Sequence, residues 1–122
     1  MTLKRIRLEL ARSHEFPEGS ARHGYEFVAP LDRQHHIDPE QWKAHRAACV
    51  VRRFWGEDTA DGHLVHRRDR RWAFHYDPAQ PVDTDEPGYR FDSHAFRPNE
   101  YVSITEVDGV TRTFRVVSAA PA

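Results

Sequence analysis

The chain has 122 residues, enough for one domain with a single hydrophobic core, and we expect residues 1–122 to form that domain. Its one cysteine excludes an internal disulfide and a zinc site with two thiolates, and no apolar run approaches the ~20 residues of a membrane-spanning helix. The net charge of -1 argues against a surface that binds polyanions throughout. We therefore expect a soluble, cytoplasmic protein that does not contact membranes.

Two strands open the chain. Residues 3–12 alternate between apolar and charged side chains, with Ile6, Leu8 and Leu10 on one face, which is typical of a half-buried strand. A turn rich in Pro, Gly and Ser follows at residues 16–20. Residues 23–29 then predict a second strand that ends before Pro30.

One short helix is predicted, over about residues 38–47. Asp38 has the properties of an N-cap, Pro39 suits the first helical position, and Gln41 completes a capping box. Ile37 and Trp42 have the spacing of a hydrophobic staple across the helix start. The expected amphipathic stripe is Trp42, His45 and Cys49.

Three further strands are predicted at residues 49–55, 63–67 and 71–76, with a polar loop at 56–62 and a basic turn at 68–71. Trp72, Phe74 and Tyr76 alternate on one face of the last strand. Residues 77–90 predict a flexible, acidic, Pro-rich loop, and a loop of that length is uncommon in a compact domain unless it is functional or mobile.

The chain closes with a hairpin over residues 101–119, and its register follows from the apolar pattern. A three-residue loop at 107–109, with Gly109 left-handed, pairs Val102 with Phe114 and brings Ile104 and Val116 onto the same face. A two-residue turn would instead pair Val102 with Arg115 and divide the apolar set. These elements predict a mainly β fold, a small antiparallel barrel or strongly bent sheet of seven or eight strands with one short helix.

Histidines form the first candidate site, because the hairpin at 63–76 brings two imidazoles together in either register. A two-residue turn places His66 diagonal to His75, and a three-residue turn places His63 opposite His75. These three histidines are the candidates for a metal site or for acid–base chemistry. The chain has no complete HxH, HExxH or CxxC motif, and such side chains on a strand also serve as ordinary half-exposed hydrogen-bonding groups.

Arginines form the second candidate site, since the chain has 16 of them against 2 lysines. Guanidinium groups beside exposed rings are typical of surfaces that bind RNA or single-stranded DNA. The same arginines could instead pair with the acidic segments at 57–61 and 77–86, and the Trp72 stripe could be core. The candidates for binding an anion or a partner are Arg67, Arg68, Arg70, Arg71, Trp72, His66 and His75.

Nucleophilic catalysis has little support in the sequence. Cys49 stands four residues after His45, but a small buried apolar side chain is the simpler interpretation of this cysteine. No serine lies in GxSxG or SxxK, and the six glycines form no phosphate-binding loop. We expect no cofactor.

Residues 96–102 (FRPNEYV) and 115–118 (RVVS) resemble the flavin-binding barrel of ferredoxin-reductase-type proteins. That family has glycine at the position of Asn99 and a flavin-stacking tyrosine at the position of Val117, so the resemblance implies a β-barrel but not flavin. The runs at 24–32, 53–56, 101–104 and 114–118 are also similar to a group of short uncharacterised bacterial proteins, which implies no activity.

Three functions follow as hypotheses. The first is a non-enzymatic binding or interaction module that takes an anionic ligand or an acidic protein segment. The second is an RNA or single-stranded DNA binder that uses the Arg/Trp surface. The third is a small metal-dependent or histidine acid–base enzyme built on the 63–76 hairpin.

Overall fold

The computed structural model describes residues 2–67, 71–76, 86–89, 91, 94–106 and 108–122, with residues 2 and 86–89 described by their backbone alone. Eight strands and one short helix lie within these residues. Their bounds are β1 Thr2–Leu10, β2 Ser20–Leu31, α1 Pro39–Ala44, β3 Val50–Trp55, β4 Asp58–His66, β5 Trp72–Tyr76, β6 Glu86–Tyr89, β7 Tyr101–Thr105 and β8 Thr111–Pro121, with a 3-10 turn at Arg46–Ala48 after the helix.

The strands form a closed antiparallel barrel, which confirms the predicted fold class. Each strand pairs with the next along the chain, and β8 returns to pair with β1. The long pairings are those of β1 with β2 and β8, whereas β6 contributes ladders of two residue pairs on each side. Closure pairs every strand on both sides over part of its length, although the end of β2, from Val28, has no ladder with β3.

Side chains fill the described interior of the barrel. The largest fully buried ones are Trp72, Tyr25, Phe27, Phe74, Phe91, Phe96, Phe114, Ile6, Leu8, Leu64 and Ile104. Eight strands enclose a space about wide enough for such side chains.

The C-terminal hairpin has the predicted register. Val102 pairs with Phe114 and Thr105 with Thr111. The Glu106 amide donates to the Val110 carbonyl at 3.0 Å and closes a three-residue loop, whose last residue, Gly109, has φ 83°. Val107, the first residue of the predicted loop, lies outside the described residues.

The helix is shorter than predicted but has the predicted cap. Asp38 Oδ1 accepts hydrogen bonds from the Glu40 and Gln41 amides at 3.0 and 3.2 Å. The other half of the capping box is not formed, because the Asp38 amide donates to the Pro30 carbonyl instead. The chain turns into the 3-10 segment after Ala44, which still leaves both Trp42 and Cys49 buried.

The prediction that the second strand ends before Pro30 is wrong, since β2 runs to Leu31. Pro30 pairs with Leu3 of β1, and its carbonyl points away from β1 to accept the Asp38 amide. Proline has no amide hydrogen to donate. In another residue that hydrogen would point to the same side as this carbonyl, where β2 has no ladder with β3. Proline is tolerated in a strand at such an edge position.

The prediction of a polar loop at 56–62 is also wrong for residues 58–62, which belong to β4. Trp55 pairs with Asp58 across a two-residue turn in which Gly56 has φ 65°. The polar residues that follow belong to β4 and lie on the barrel surface, where Asp61 pairs with Arg52 at 2.7 Å. A strand segment that faces solvent in this way has no apolar alternation to reveal it.

The prediction of an acidic loop at 77–90 agrees with the structure only in part. Residues 86–89 of the predicted acidic loop form β6, and its remaining residues, 77–85 and 90, lie outside the described residues. In the segment that resembles the flavin barrel, Asn99 has φ 75°, a conformation that favours glycine and that asparagine adopts more readily than most residues.

Candidate functional site

Strand order alone sorts the connections into two groups, because successive loops of an antiparallel meander lie at alternate ends of the barrel. The helix end includes α1, the 3-10 turn at Arg46–Ala48 and the residues Arg67 and Arg71. The hairpin end comprises the loop at 11–19, the turn at 56–57 and the loop at 106–110. Each end contains one candidate site.

The 63–76 hairpin has the register that places His63 opposite His75. The Arg67 amide donates to the Arg71 carbonyl at 2.8 Å and closes the turn. His66 pairs with Trp72, one position out of phase with His63 and His75, and therefore lies on the other face of the sheet. The structure thus brings together His63 and His75 but separates them from His66.

Trp72 lies in the core, with 1% of its surface exposed. The His66 ring stacks on it at a centroid distance of 4.0 Å and an interplanar angle of 12°. Trp42 meets Trp72 edge to face at 5.4 Å, and its indole nitrogen donates to the Leu64 carbonyl at 3.0 Å. A nucleic-acid base cannot stack on Trp72 while these groups are in place.

Two arginines that flank the predicted basic turn, Arg67 and Arg71, lie at the helix end. Arg67 is half-buried and Arg71 is exposed, whereas Arg68 and Arg70 lie outside the described residues. In the part of the chain that the structure describes, no three His, Cys, Asp or Glu side chains are close enough together to hold a metal ion. The described polar side chains of the 63–76 hairpin at this end are therefore arginines and histidines, without a metal-binding group.

A groove of about 510 Å³ lies at the helix end, between the helical segment and β4. The residues that line it are apolar apart from two histidines and one arginine. The described residues that line it include no carboxylate. They are Trp42, Arg46, Ala47, His63, Leu64, Val65 and His66.

Arg46 is the cation of this groove. Its guanidinium carbon lies 4.8 Å from the centroid of the Trp42 ring. Among the described residues, no carboxylate or carbonyl accepts a hydrogen bond from this side chain. A guanidinium held against an indole ring keeps its N–H groups available to an anion.

The hairpin end contains a buried ion-pair cluster that the sequence analysis missed. Its centre is Glu106, with 3% of its surface exposed. Glu106 Oε2 accepts from the Tyr25 hydroxyl at 2.7 Å and from Arg53 Nε and Nη2 at 3.0 and 2.9 Å. Glu106 Oε1 accepts from Arg112 Nη1 at 2.7 Å. We refer to Tyr25, Arg53, Glu106 and Arg112 as the Glu106 cluster.

Trp55 packs against both guanidinium groups of the cluster. The guanidinium carbons of Arg53 and Arg112 lie 4.4 and 5.3 Å from its ring centroid. Burial by itself lowers the pKa of each arginine, but interactions with Tyr25 and Glu106 raise the pKa of Arg53, and interactions with Glu106 and Asp108 raise that of Arg112. These contacts therefore favour the charged form of both arginines.

A signal for this cluster exists in the sequence. The apolar stripe of Val102 and Ile104 continues at period two to Glu106, and that of Val116 and Phe114 continues to Arg112. A charged residue at an inward position of each strand marks a buried pair. Neither histidine spacing nor the arginine cluster at 67–71 points to these positions.

Cys49 is fully buried, and burial raises the pKa of its thiol to about 11. The thiolate is the nucleophilic form of cysteine, so a thiol in this environment is poorly reactive.

None of the described helices is long and apolar enough to cross a membrane. A scan against protein-family models found no match, and searches of curated proteins and of solved structures likewise found no similar protein.

Proposed function

We propose that the protein is a non-enzymatic binding module for an anionic ligand, and that it recognises this ligand in the helix-end groove. The observation that carries the proposal is the Arg46 guanidinium, which lies against Trp42 without an acidic partner among the described residues. Arginine forms paired, charge-assisted hydrogen bonds to carboxylates and phosphates.

The rest of the groove supports a ligand that has an apolar part beside its charge. The apolar residues Leu64, Val65 and Ala47 line the groove, and so do the histidines His63 and His66. Ligand sites commonly combine a mostly apolar wall with a few polar groups that orient the ligand. The charges of Arg67 and Arg71, on the turn that follows β4, would add to the attraction at longer range.

A small anion fits these contacts better than a nucleic acid. Trp72 is buried, and Trp55 is packed against two guanidinium groups, so neither ring is available as a stacking platform. We also assign the protein to the cytoplasm, because a free, buried Cys49 suits a reducing compartment.

An NMR titration with inorganic phosphate, AMP and a short RNA tests the proposal. We expect saturable shifts of the His63 and His66 rings and of the Trp42 indole N–H with the small anions, with AMP the tighter of the two. Arg46→Gln should weaken this binding roughly tenfold, because it removes a charge-assisted hydrogen bond.

Arg22→Gln is the matched control, because Arg22 is exposed at the hairpin end. This variant should bind as the wild type does. Absence of saturable shifts at the groove would refute the proposal, and so would equal losses in both variants. Tighter binding of RNA than of AMP, with shifts spread over the basic turn, would favour nucleic acid instead.

A further inference from the structure

The hydroxyl of Ser20, at the start of β2, is hydrogen-bonded to an imidazole. Ser20 Oγ lies 2.6 Å from Nδ1 of His23, and the Arg22 amide donates to the same oxygen at 3.2 Å. In the neutral imidazole that carries its proton on Nε2, Nδ1 accepts the hydroxyl hydrogen. The pair therefore has the hydrogen bond that joins a serine nucleophile to its base.

Two aromatic rings pack against the His23 imidazole and hold it in this position. The ring centroids of Phe16 and Trp55 lie 4.6 and 4.5 Å from that of His23, and the Trp55 contact is edge to face. Burial, followed by the charges of Arg22 and Arg53, lowers the pKa of His23. The neutral form of this ring therefore predominates at neutral pH. A general base must be oriented and unprotonated, and His23 meets both conditions.

Ser20 is half-buried and is one of the residues that line a groove of about 730 Å³. This groove lies between the hairpin of β7 and β8 and the loop at residues 11–19 with the adjoining ends of β1 and β2. The exposed Tyr101 lines its other side. A small molecule bound in the groove would therefore be next to Ser20.

The charged residues of this groove are two arginines and two glutamates, and the arginines have no carboxylate partner among the described residues. Arg12 is exposed, and Arg115 donates to Asn99 Oδ1 at 3.2 Å. Glu9 already pairs with an arginine of β1 at 2.8 Å, which leaves Glu18 as the other carboxylate. Two guanidinium groups against one unpaired carboxylate favour a ligand that carries a phosphate.

We propose that Ser20 is an acylation site that accepts the acyl group of a small acyl phosphate, with His23 as the base. Ser20 Oγ attacks the carbonyl carbon and forms an ester bond, while the bond from that carbon to the phosphate oxygen breaks and phosphate leaves with its electron pair. The hydroxyl proton passes to His23 Nδ1 and then to solvent. Arg12 and Arg115 attract the phosphate. One acyl group is transferred per chain without turnover, so this modification is independent of the helix-end groove and of the binding function proposed there.

Incubation of the wild-type protein with acetyl phosphate at neutral pH tests this proposal, with mass spectrometry of the intact chain and of its peptides. We expect one acetyl group on the peptide that contains Ser20. Hydroxylamine should remove it, because hydroxylamine cleaves an ester but not the amide that an acetylated lysine would carry. Ser13, an exposed serine of the neighbouring loop whose Oγ accepts the Phe16 amide, is the internal control and should stay unmodified.

His23→Gln tests the base. It should slow acetylation of Ser20 by at least about a hundredfold, because glutamine cannot take up the hydroxyl proton. His14→Gln is the matched control, since His14 is an exposed histidine of the loop at 11–19. This control should react at the rate of the wild type.

Arg12→Gln and Arg115→Gln test the class of acyl donor. Each should slow the reaction with acetyl phosphate about tenfold, because each removes a charge that attracts the phosphate. Neither should change the rate with p-nitrophenyl acetate, a donor of the same acetyl group that carries no charge.

Several outcomes would overturn the proposal. One is the absence of an ester on Ser20 after exposure to either donor, and another is acetylation of Ser13 at the rate of Ser20, which would show an ordinary hydroxyl. Equal rates in the wild type and His23→Gln would contradict the role of the base. Equal slowing with both donors in Arg12→Gln and Arg115→Gln would contradict the assignment of an acyl phosphate.

Discussion

Tyr25 and Glu106 are 81 positions apart in the sequence, and the Tyr25 hydroxyl donates a 2.7 Å hydrogen bond to the Glu106 carboxylate inside the barrel. Arg53 and Arg112 donate to the same carboxylate. One buried charge therefore connects β2, β3, β8 and the residue that follows β7. Cross-strand contacts of this kind depend on the closed barrel as a whole.

Glu106→Gln should destabilise the fold by about 3–5 kcal/mol, because two mostly buried guanidinium groups would lose their shared carboxylate. Urea unfolding followed by tryptophan fluorescence measures the change. Glu100→Gln, at a carboxylate that is 43% exposed, should lie within about 0.5 kcal/mol of the wild type. A loss below about 1 kcal/mol at Glu106 would contradict the structural role of the cluster.

Phe114→Ala should cost about 3–5 kcal/mol, since Phe114 is fully buried and its ring lies 5.1 Å from that of Tyr25. The same unfolding experiment tests it. The control is Val110→Ala on the neighbouring loop, because Val110 is 45% exposed. Similar stabilities for the two variants would show that the hairpin face is not packed as described.

Asp38→Ala should cost about 1 kcal/mol, because the Glu40 and Gln41 amides would lose their side-chain acceptor. Thermal unfolding monitored by circular dichroism measures the loss. Lys43→Ala, in the last turn of the same helix, should change stability by only a few tenths of a kcal/mol. Equal effects at the two positions would mean that the cap does not stabilise the helix.

Acid should destabilise the protein through His23. Burial, followed by the charges of Arg22 and Arg53, lowers the pKa of His23 below 6.5, and Glu106 offsets this only in part. The unfolded chain therefore takes up this proton at a higher pH than the folded chain does. The free energy of unfolding should decline as the pH falls below 6.5 and through the lower folded-state pKa.

His23→Gln should flatten that part of the pH profile, and urea unfolding between about pH 7.5 and about pH 5 measures it. The exposed His14 provides the control, since His14→Gln should leave the slope as in the wild type. An unchanged slope in His23→Gln would refute the assignment.

Cys49 should resist thiol reagents in the folded protein, because burial removes access and raises the pKa of the thiol to about 11. Absorbance after addition of a disulfide reagent near pH 8 should show one reactive thiol only once urea unfolds the chain. Prompt labelling of the native protein would contradict the burial of this residue.

Local patterns in the sequence predict much of the fold. Alternation identifies the buried face of β1, and the apolar set of Val102, Ile104, Phe114 and Val116 determines the register of the last hairpin, because one slipped residue would expose it. The cap at Asp38 is a contact between near neighbours and is predictable for the same reason. Such features depend on residues close together in the chain.

Other elements have no local signal. The strand at residues 58–62 is polar because it faces solvent, and Pro30 continues β2 because its missing amide hydrogen points away from the ladder with β1. The sequence leaves two registers open for the 63–76 hairpin. The strand pairing in the folded barrel decides between them and places His63 opposite His75.

The candidate sites depend on tertiary structure most of all. The sequence by itself determines that arginines are abundant, that Cys49 has no disulfide partner within the chain, and that the chain is mainly β. Only closure of the barrel brings Glu106 against Tyr25, Arg53 and Arg112, and only the tertiary structure brings Trp42, 22 residues from Leu64, against the Leu64 carbonyl of β4. The physical reason is that burial and charge pairing act through space between residues that are distant along the chain, whereas sequence patterns report only on near neighbours.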